Sequence, residues 1–208
     1  SATPGGIIET VVASLDAVLP GVDAVVVADQ IEMDDCGVIT AEMRDVLSQR
    51  ARAFPDIVFW VDSRTHIQLF RDLIIKPNQF EAVDHDLPRP DDRVPLEEVL
   101  AALPRLKSLT GKPVVVTLGE RGMLASDPVP EHVPGVRLDG ELDPTGAGDS
   151  ATAGCVLALA AGSTLAEAAL VGNLVASITV EQLAVTGTAD PDQVRERLRV
   201  WRGQNGLG

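Results

Sequence analysis

Asp23-Ala-Val-Val-Val-Ala-Asp29 is a short, unbroken apolar run closed at each end by a carboxylate. It does not alternate, so it does not read as a strand with one face in water. Its length and its β-branched content favour a strand covered on both faces. Ile57-Val-Phe-Trp-Val61 repeats the pattern, and Pro113-Val-Val-Val-Thr117 repeats it again, with the shorter Leu73-Ile-Ile75 between them.

The stretches around these runs have helical spacing. Ile8, Val11, Val12, Leu15, Val18 and Leu19 fall on one face of a helix over residues 7–19, which Pro20-Gly21 stops. Thr40 is suited to cap a helix reaching about Ala53, with Glu42 and Asp45 in its early turns. A short helix is predicted over residues 65–70 and a longer one over 96–109, after a polar, proline-rich loop at 84–95. A return strand starts at residues 122–125, and residues 126–142 read as short extended pieces broken by prolines. The last third is predicted to be helical over about 147–162, 164–184 and 190–202. Strand–helix–strand alternation with continuous apolar strands predicts an α/β fold, an open and mostly parallel sheet with helices on both faces. No internal boundary is visible, so residues 1–208 are expected to form a single domain.

Composition narrows the function. With 4 Phe, 2 Trp and no Tyr in 208 residues, the core must be built from Val, Leu, Ile and Ala. A formal net charge of -14 disfavours nonspecific binding to nucleic acid or to an anionic membrane, since both need basic surface. It leaves room for a phosphate ligand held locally by backbone N–H groups. Cys36 and Cys155 are far apart and in no metal-ligand spacing, and read as reduced thiols. Without a secretory pattern or a membrane-spanning apolar run, a cytoplasmic protein is expected.

Asp143-Pro-Thr-Gly-Ala-Gly-Asp-Ser150 carries the chemistry. It sits where a loop gives way to a long apolar helix. Gly146 and Gly148 permit close approach of a ligand to the main chain. The N–H groups of Gly146, Ala147, Gly148 and Asp149 are expected to be unpaired at the helix start, which makes an anion site. A carboxylate in the same turn can take a proton from a hydroxyl beside that anion, as phosphoryl transfer to an alcohol requires. Read alone, Asp143 or Asp149 is equally a helix-capping residue.

This octapeptide resembles the C-terminal signature of the PfkB (ribokinase-like) carbohydrate kinases. The resemblance implies that Asp149 is the catalytic base and that the amides of Gly146, Ala147 and Gly148 form the anion hole. Asp143 and Thr145 match positions that in some members help bind an activating monovalent cation such as K+. Pro144 stands where many members have Thr. Three further stretches agree in order. Lys76-Pro-Asn-Gln-Phe-Glu81 resembles the family's Asn-x-x-Glu element, which implies that Asn78 and Glu81 organise Mg2+ and phosphate through water. The same pair also reads as a helix-capping box. Thr117-Leu-Gly-Glu-Arg-Gly122 resembles the nucleotide-binding loop, implying ATP contacts at Thr117, Gly119 and Gly122. Gly172-Asn-Leu-Val-Ala-Ser-Ile-Thr179 is similar to the helix that walls the adenine pocket, implying a nucleotide contact at Asn173, or simply a small-residue packing face.

More weakly, Val27-Ala-Asp-Gln30 and Val61-Asp-Ser-Arg64 resemble the heptose-phosphate kinase subset. His66, His85 and His132 form no metal triad and read as surface or loop residues.

The resemblance runs from about Asp23 to about Arg199 but matches only the later part of the family pattern. The N-terminal strands, much of the sugar pocket and the lid are expected to be missing. A fragment, a partner chain that supplies the rest, and a truncated relative all remain open. The exposed sheet edge makes a homodimer one expected outcome. The implied activity is transfer of the γ-phosphoryl group of MgATP to a hydroxyl of a sugar or sugar phosphate. The alternatives are a nucleotide-binding regulatory protein that has lost phosphotransfer, or a nucleoside kinase of the same family.

Overall fold

The computed structural model describes residues 2–85, 87–89, 92–185 and 187–207. The chain divides into two compact units, Ser1–Val114 and Val115–Gly208.

In the first unit the order is α1 (Gly5–Val18), β1 (Ala24–Asp29), α2 (Ala41–Ala53), β2 (Val58–Ser63), β3 (Ile74–Ile75), α3 (Gln79–Ala82) and α4 (Leu96–Thr110). β1 and β2 run parallel in register from Ala24–Val58 to Asp29–Ser63. β3 joins β2 in parallel, pairing Trp60 with Ile74 and Val61 with Ile75. A further parallel bridge links Ile75 to Val114. α2 makes the crossover between β1 and β2, whereas residues 64–73, between β2 and β3, carry only a 3-10 turn.

Burial follows the apolar runs unevenly. Phe59, Trp60 and Val61 on β2 are all buried, as a strand covered on both faces requires. On β1 the expectation fails: Val26 is 48% exposed. Val26 and Ala28, two apart, share one face of the strand and that face is exposed, while Val27 and Asp29 on the other are buried. Thr40 caps α2 as expected, its hydroxyl accepting from the Met43 N–H at 3.2 Å. The helix predicted over 65–70 shrinks to a single 3-10 turn, Ile67–Leu69. Just ahead of it the His66 N–H donates to the Ser63 hydroxyl at 3.0 Å, a local alternative to a helical bond. The loop predicted at 84–95 lies partly outside the described residues.

The second unit contains β4 (Val115–Thr117), β5 (Met123–Ala125), β6 (Glu131–Val133), α5 (Ala147–Ala160), α6 (Leu165–Thr179) and α7 (Pro191–Gln204). Its three strands are antiparallel, with Val115 opposite Ala125 and Met123 opposite Val133. The chain reverses between β4 and β5 through one 3-10 turn, Gly119–Arg121, which is too short for a parallel crossover. Capping boxes start α6 at Thr164 and α7 at Asp190.

α6 stops at Thr179, short of the predicted 184. The Val180 carbonyl accepts from the Asp143 N–H at 2.8 Å, and Ala184 adopts a left-handed φ of 58°. The helix end is therefore consumed by the loop that precedes α5. Among the described residues no helix is long and apolar enough to cross a membrane.

Candidate active site

The Gly-Ala-Gly-Asp stretch opens α5. Gly146 is the residue before the first turn and takes φ 76°, a conformation that glycine adopts without a Cβ penalty. No side chain caps this end. The Ala147 N–H donates to the Pro144 carbonyl at 3.1 Å. Four unpaired donors were expected here; with Ala147 engaged, the N–H groups of Gly146, Gly148 and Asp149 have no partner among the described residues. Asp149 is exposed in the first turn, and its carboxylate has no hydrogen bond or ion pair among the described residues. Three free donors and a free carboxylate thus share one helix start, where the helix dipole also favours negative charge.

The orientation of α5 is set by close packing on α6. A Cβ on Gly172 would sit 2.4 Å from the Cys155 sulfur and 2.9 Å from the Ala151 carbonyl oxygen. Only a glycine lets the two helices approach this far. Cys155 is therefore a buried packing residue, its sulfur 3.9 Å from the Met123 sulfur.

Asp143 stands before this turn and braces it. Its carboxylate accepts from the Thr145 N–H at 3.0 Å and from the Ala184 N–H at 3.2 Å. The hydroxyl and N–H of Thr145, together with the Ala184 N–H, hold the carboxyl below its ordinary range. Asp143 and Thr145 thus meet in one turn with an ionised carboxylate.

The Thr117–Gly122 turn lies at the end of β4. The Leu118 N–H donates to the Gly122 carbonyl at 2.8 Å and the Gly122 N–H to the Gly119 carbonyl at 3.0 Å. Gly122 has φ 94°, and a Cβ there would lie 2.2 Å from the Val133 carbonyl oxygen. Residues 133–135 therefore cross directly against this turn. Asn173, buried on α6, donates from Nδ2 to the Val133 carbonyl at 3.1 Å and to the Pro134 carbonyl at 3.3 Å. The Trp201 indole N–H reaches the same Pro134 carbonyl at 2.8 Å. Thr117, Gly119, Gly122 and Asn173 are thus tied into one framework through residues 133–135.

In the first unit Asn78 and Glu81 form a complete capping box. Asn78 Oδ1 accepts from the Phe80 and Glu81 N–H groups at 2.9 and 3.0 Å. Glu81 Oε2 accepts from the Asn78 N–H at 2.7 Å. Burial pushes the Glu81 carboxyl up to about 7, against the Asn78 N–H and the Lys76 charge, which pull it down. Lys76 is itself buried, and its ammonium pairs with Asp62 Oδ2 at 2.8 Å. Asp62 and Lys76 went unnoticed in the sequence as site residues. They meet because each follows a paired residue, Val61 on β2 and Ile75 on β3.

A correction concerns His66, which was read as a surface or loop residue. It is buried, with Nδ1 3.2 Å from Asp29 Oδ2 and Nε2 3.1 Å from Asp34 Oδ1. The carboxylates at 29 and 34 were the available signal, but only the fold brings them to the ring. Among the described residues no three His, Cys, Asp or Glu side chains are grouped to hold a metal ion.

Comparison with known proteins bears on this geometry. Residues 34–192 match the pfkB family of carbohydrate kinases. Over 193 residues the chain is 30% identical to the bifunctional protein HldE of a Nitratiruptor species, an alignment covering 88% of this chain and 37% of that protein. Arabidopsis thaliana ribokinase, solved with ribose and ATP, superposes with a TM-score of 0.67 at 19% identity, covering 88% of this chain and 58% of that one. Escherichia coli phosphofructokinase-2, solved with potassium, gives 0.66 at 21% identity, covering 91% and 62%. At these identities the structures show the fold, which is that of the ribokinase-like kinases. The chain spans little more than a third of the bifunctional relative's length.

Proposed function

The chain belongs to the pfkB family of carbohydrate kinases, and on that premise we propose that it carries the phosphoryl-transfer machinery of an ATP-dependent kinase acting on a hydroxyl of a sugar or sugar phosphate. One observation carries the reading. Among the described residues, an exposed, unengaged carboxylate at Asp149 shares a helix start with the unpaired N–H groups of Gly146, Gly148 and Asp149.

Asp149 takes the proton of the acceptor hydroxyl as its oxygen attacks the γ-phosphorus. The new phosphorus–oxygen bond forms as the bond to ADP breaks, and the proton stays on the carboxylate. The free N–H groups, with Ala147 beside them, receive the charge on the transferring phosphoryl oxygens. Thr117, Gly119 and Gly122 hold the nucleotide. Asn173 serves that site by fixing residues 133–135 against the turn.

Asn78 and Glu81 are oxygen donors of the kind Mg2+ takes through its water shell, and they would hold it there together with substrate phosphates. When bound, Mg2+ supplies neutralisation of phosphate charge. Asp143, ionised and next to Thr145, is where a monovalent cation such as K+ would lie.

The test is ADP release from MgATP over a panel of sugars, sugar phosphates and nucleosides, with Asp149→Asn alongside. One acceptor is expected to stimulate release. The variant is expected to lose about 100-fold or more in turnover while binding ATP normally, the scale of a general base. Undiminished turnover in Asp149→Asn overturns the assignment.

A further inference from the structure

β1 and β2 end side by side, with Asp29 opposite Ser63. Asp29 is buried; its Oδ2 accepts from the Ser63 hydroxyl at 2.8 Å and faces His66 Nδ1 at 3.2 Å. The other ring nitrogen, Nε2, faces Asp34 Oδ1 at 3.1 Å. Both ring nitrogens of His66 therefore face carboxylate oxygens, one buried and one exposed. Arg64 lies two residues away, and its backbone N–H donates to the Asp29 carbonyl at 3.1 Å. Its guanidinium is 4.0 Å from Glu32 Oε1.

Two basic side chains from one strand end, Arg64 and His66, therefore face two acidic side chains from the loop after β1, Glu32 and Asp34. The two partners of His66 are not alike. The Asp29 side chain is 2% exposed and is locked by Ser63, whereas that of Asp34 is 89% exposed. Asp29 orients the ring from behind. Asp34 occupies its outer nitrogen from solvent, and Glu32 stands at the outer limit of ion-pair distance from Arg64. Exposed contacts of this kind are weak and easily exchanged. The position is also telling, because ligands of open α/β sheets sit beyond the carboxyl ends of the strands.

We infer that Arg64 and His66 form a binding site for the phosphate of a phosphate monoester, occupied here by the protein's own Glu32 and Asp34 carboxylates. A guanidinium fork and an imidazole N–H give several donors to three phosphate oxygens, a better match than either carboxylate makes. The acidic loop occupies the two basic side chains in a strongly acidic chain until a doubly charged ligand displaces it. This inference rests on the kinase reading only in naming the ligand as the acceptor; the site itself does not depend on turnover.

The experiment is NMR of isotope-labelled protein without nucleotide at constant ionic strength. It follows the His66 ring nitrogens and the amides of Glu32 and Asp34. Fructose 6-phosphate and inorganic phosphate are expected to shift these signals saturably, and fructose is not. Asp34→Asn, which removes the competing charge at an exposed position, is expected to tighten phosphate binding about twofold to fivefold. Arg64→Gln, also exposed, is expected to weaken it by a similar factor while the thermal transition stays in place. No saturable shift with either phosphate probe overturns the site, as does unchanged affinity in Asp34→Asn. Saturation of the same signals by MgATP but not by the sugar phosphate overturns its assignment to the acceptor. Because nucleotide is absent from the first titrations, a failed turnover assay and a failed binding site are separately visible.

Discussion

The two stretches proposed to handle phosphate are built in opposite ways. At residues 78–81 both functional side chains are committed: Asn78 accepts two N–H groups, Glu81 accepts one, and the ion pair of buried Lys76 with Asp62 lies close by. At residues 146–149 the donors and the carboxylate are left without partners among the described residues, Ala147 excepted. The first stretch is part of what holds its unit together, so its chemistry and its stability are coupled. The second is held in place by other residues, Gly172 beneath the helix and Asp143 before it, and its own polar groups are free to act. Mutations should therefore separate the two, with large effects on folding at the first and on turnover alone at the second.

The largest effect is expected at the Lys76–Asp62 ion pair. Lys76→Met removes an ion-pair partner of Asp62 and the positive charge that favours ionised Glu81. Lys76 is buried but the Asp62 side chain keeps 20% exposure, so breaking the pair costs about 3 kcal/mol, the low end for a buried pair. Urea unfolding should show that loss, and a loss under about 1 kcal/mol would mean that residues 78–81 do not depend on the pair. Asp149→Asn comes next, where about 100-fold in turnover corresponds to about 2.7 kcal/mol of barrier.

Glu81 then links the two kinds of effect. Its carboxyl lies at about 7 in the folded protein against 4.5 as the ordinary value. Below 4.5 the group is protonated whether the chain is folded or not, and the full stability is present. As pH rises through about 7 the unfolded chain has already released its proton, the folded chain resists doing so, and stability is lost. The loss is on the order of 3 kcal/mol. Glu81→Gln keeps an oxygen for the Asn78 N–H but cannot ionise. Its stability should not fall over this window, and it should be the more stable protein at pH 8. Acceptor-stimulated ADP release, which draws on the carboxylate, should rise through about pH 7 in the wild type and be impaired in the variant. An identical pH slope in the two proteins would break the link between burial and function at this residue.

What the sequence revealed follows from how local each signal is. The turn at 146–149 was legible because glycines and a helix start determine their own geometry. The capping box at 78–81 was legible for the same reason. The Lys76–Asp62 pair was not, because it depends on the register of β2 against β3. The burial of His66 was hidden for a like reason: its partners come from the end of β1 and the loop after it. The bond from Ala147 to Pro144 needed the backbone path, and the early end of α6 needed the Asp143 amide at Val180. The exposed face of β1 contradicts its apolar composition because Val26 and Ala28, two apart, share one face of the strand and that face is exposed, while Val27 and Asp29 on the other are buried.

The smallest effects give the cleanest test of the contrast. Asn78 and Asp149 are both polar residues at helix starts, and sequence alone allows each a capping role. Only Asn78 fills it, accepting from Phe80 and Glu81. Asn78→Ala should therefore lower stability by about 1 kcal/mol, the cost of a lost cap. Asp149→Asn, with no bond to lose among the described residues, should change stability by no more than about 0.5 kcal/mol, the scale of one charge near an exposed helix start. Thermal unfolding of the two variants at pH 7 decides the matter. If Asp149→Asn unfolds as readily as Asn78→Ala, the carboxylate is a structural cap as well, and its loss of turnover could no longer be read as the loss of a base alone.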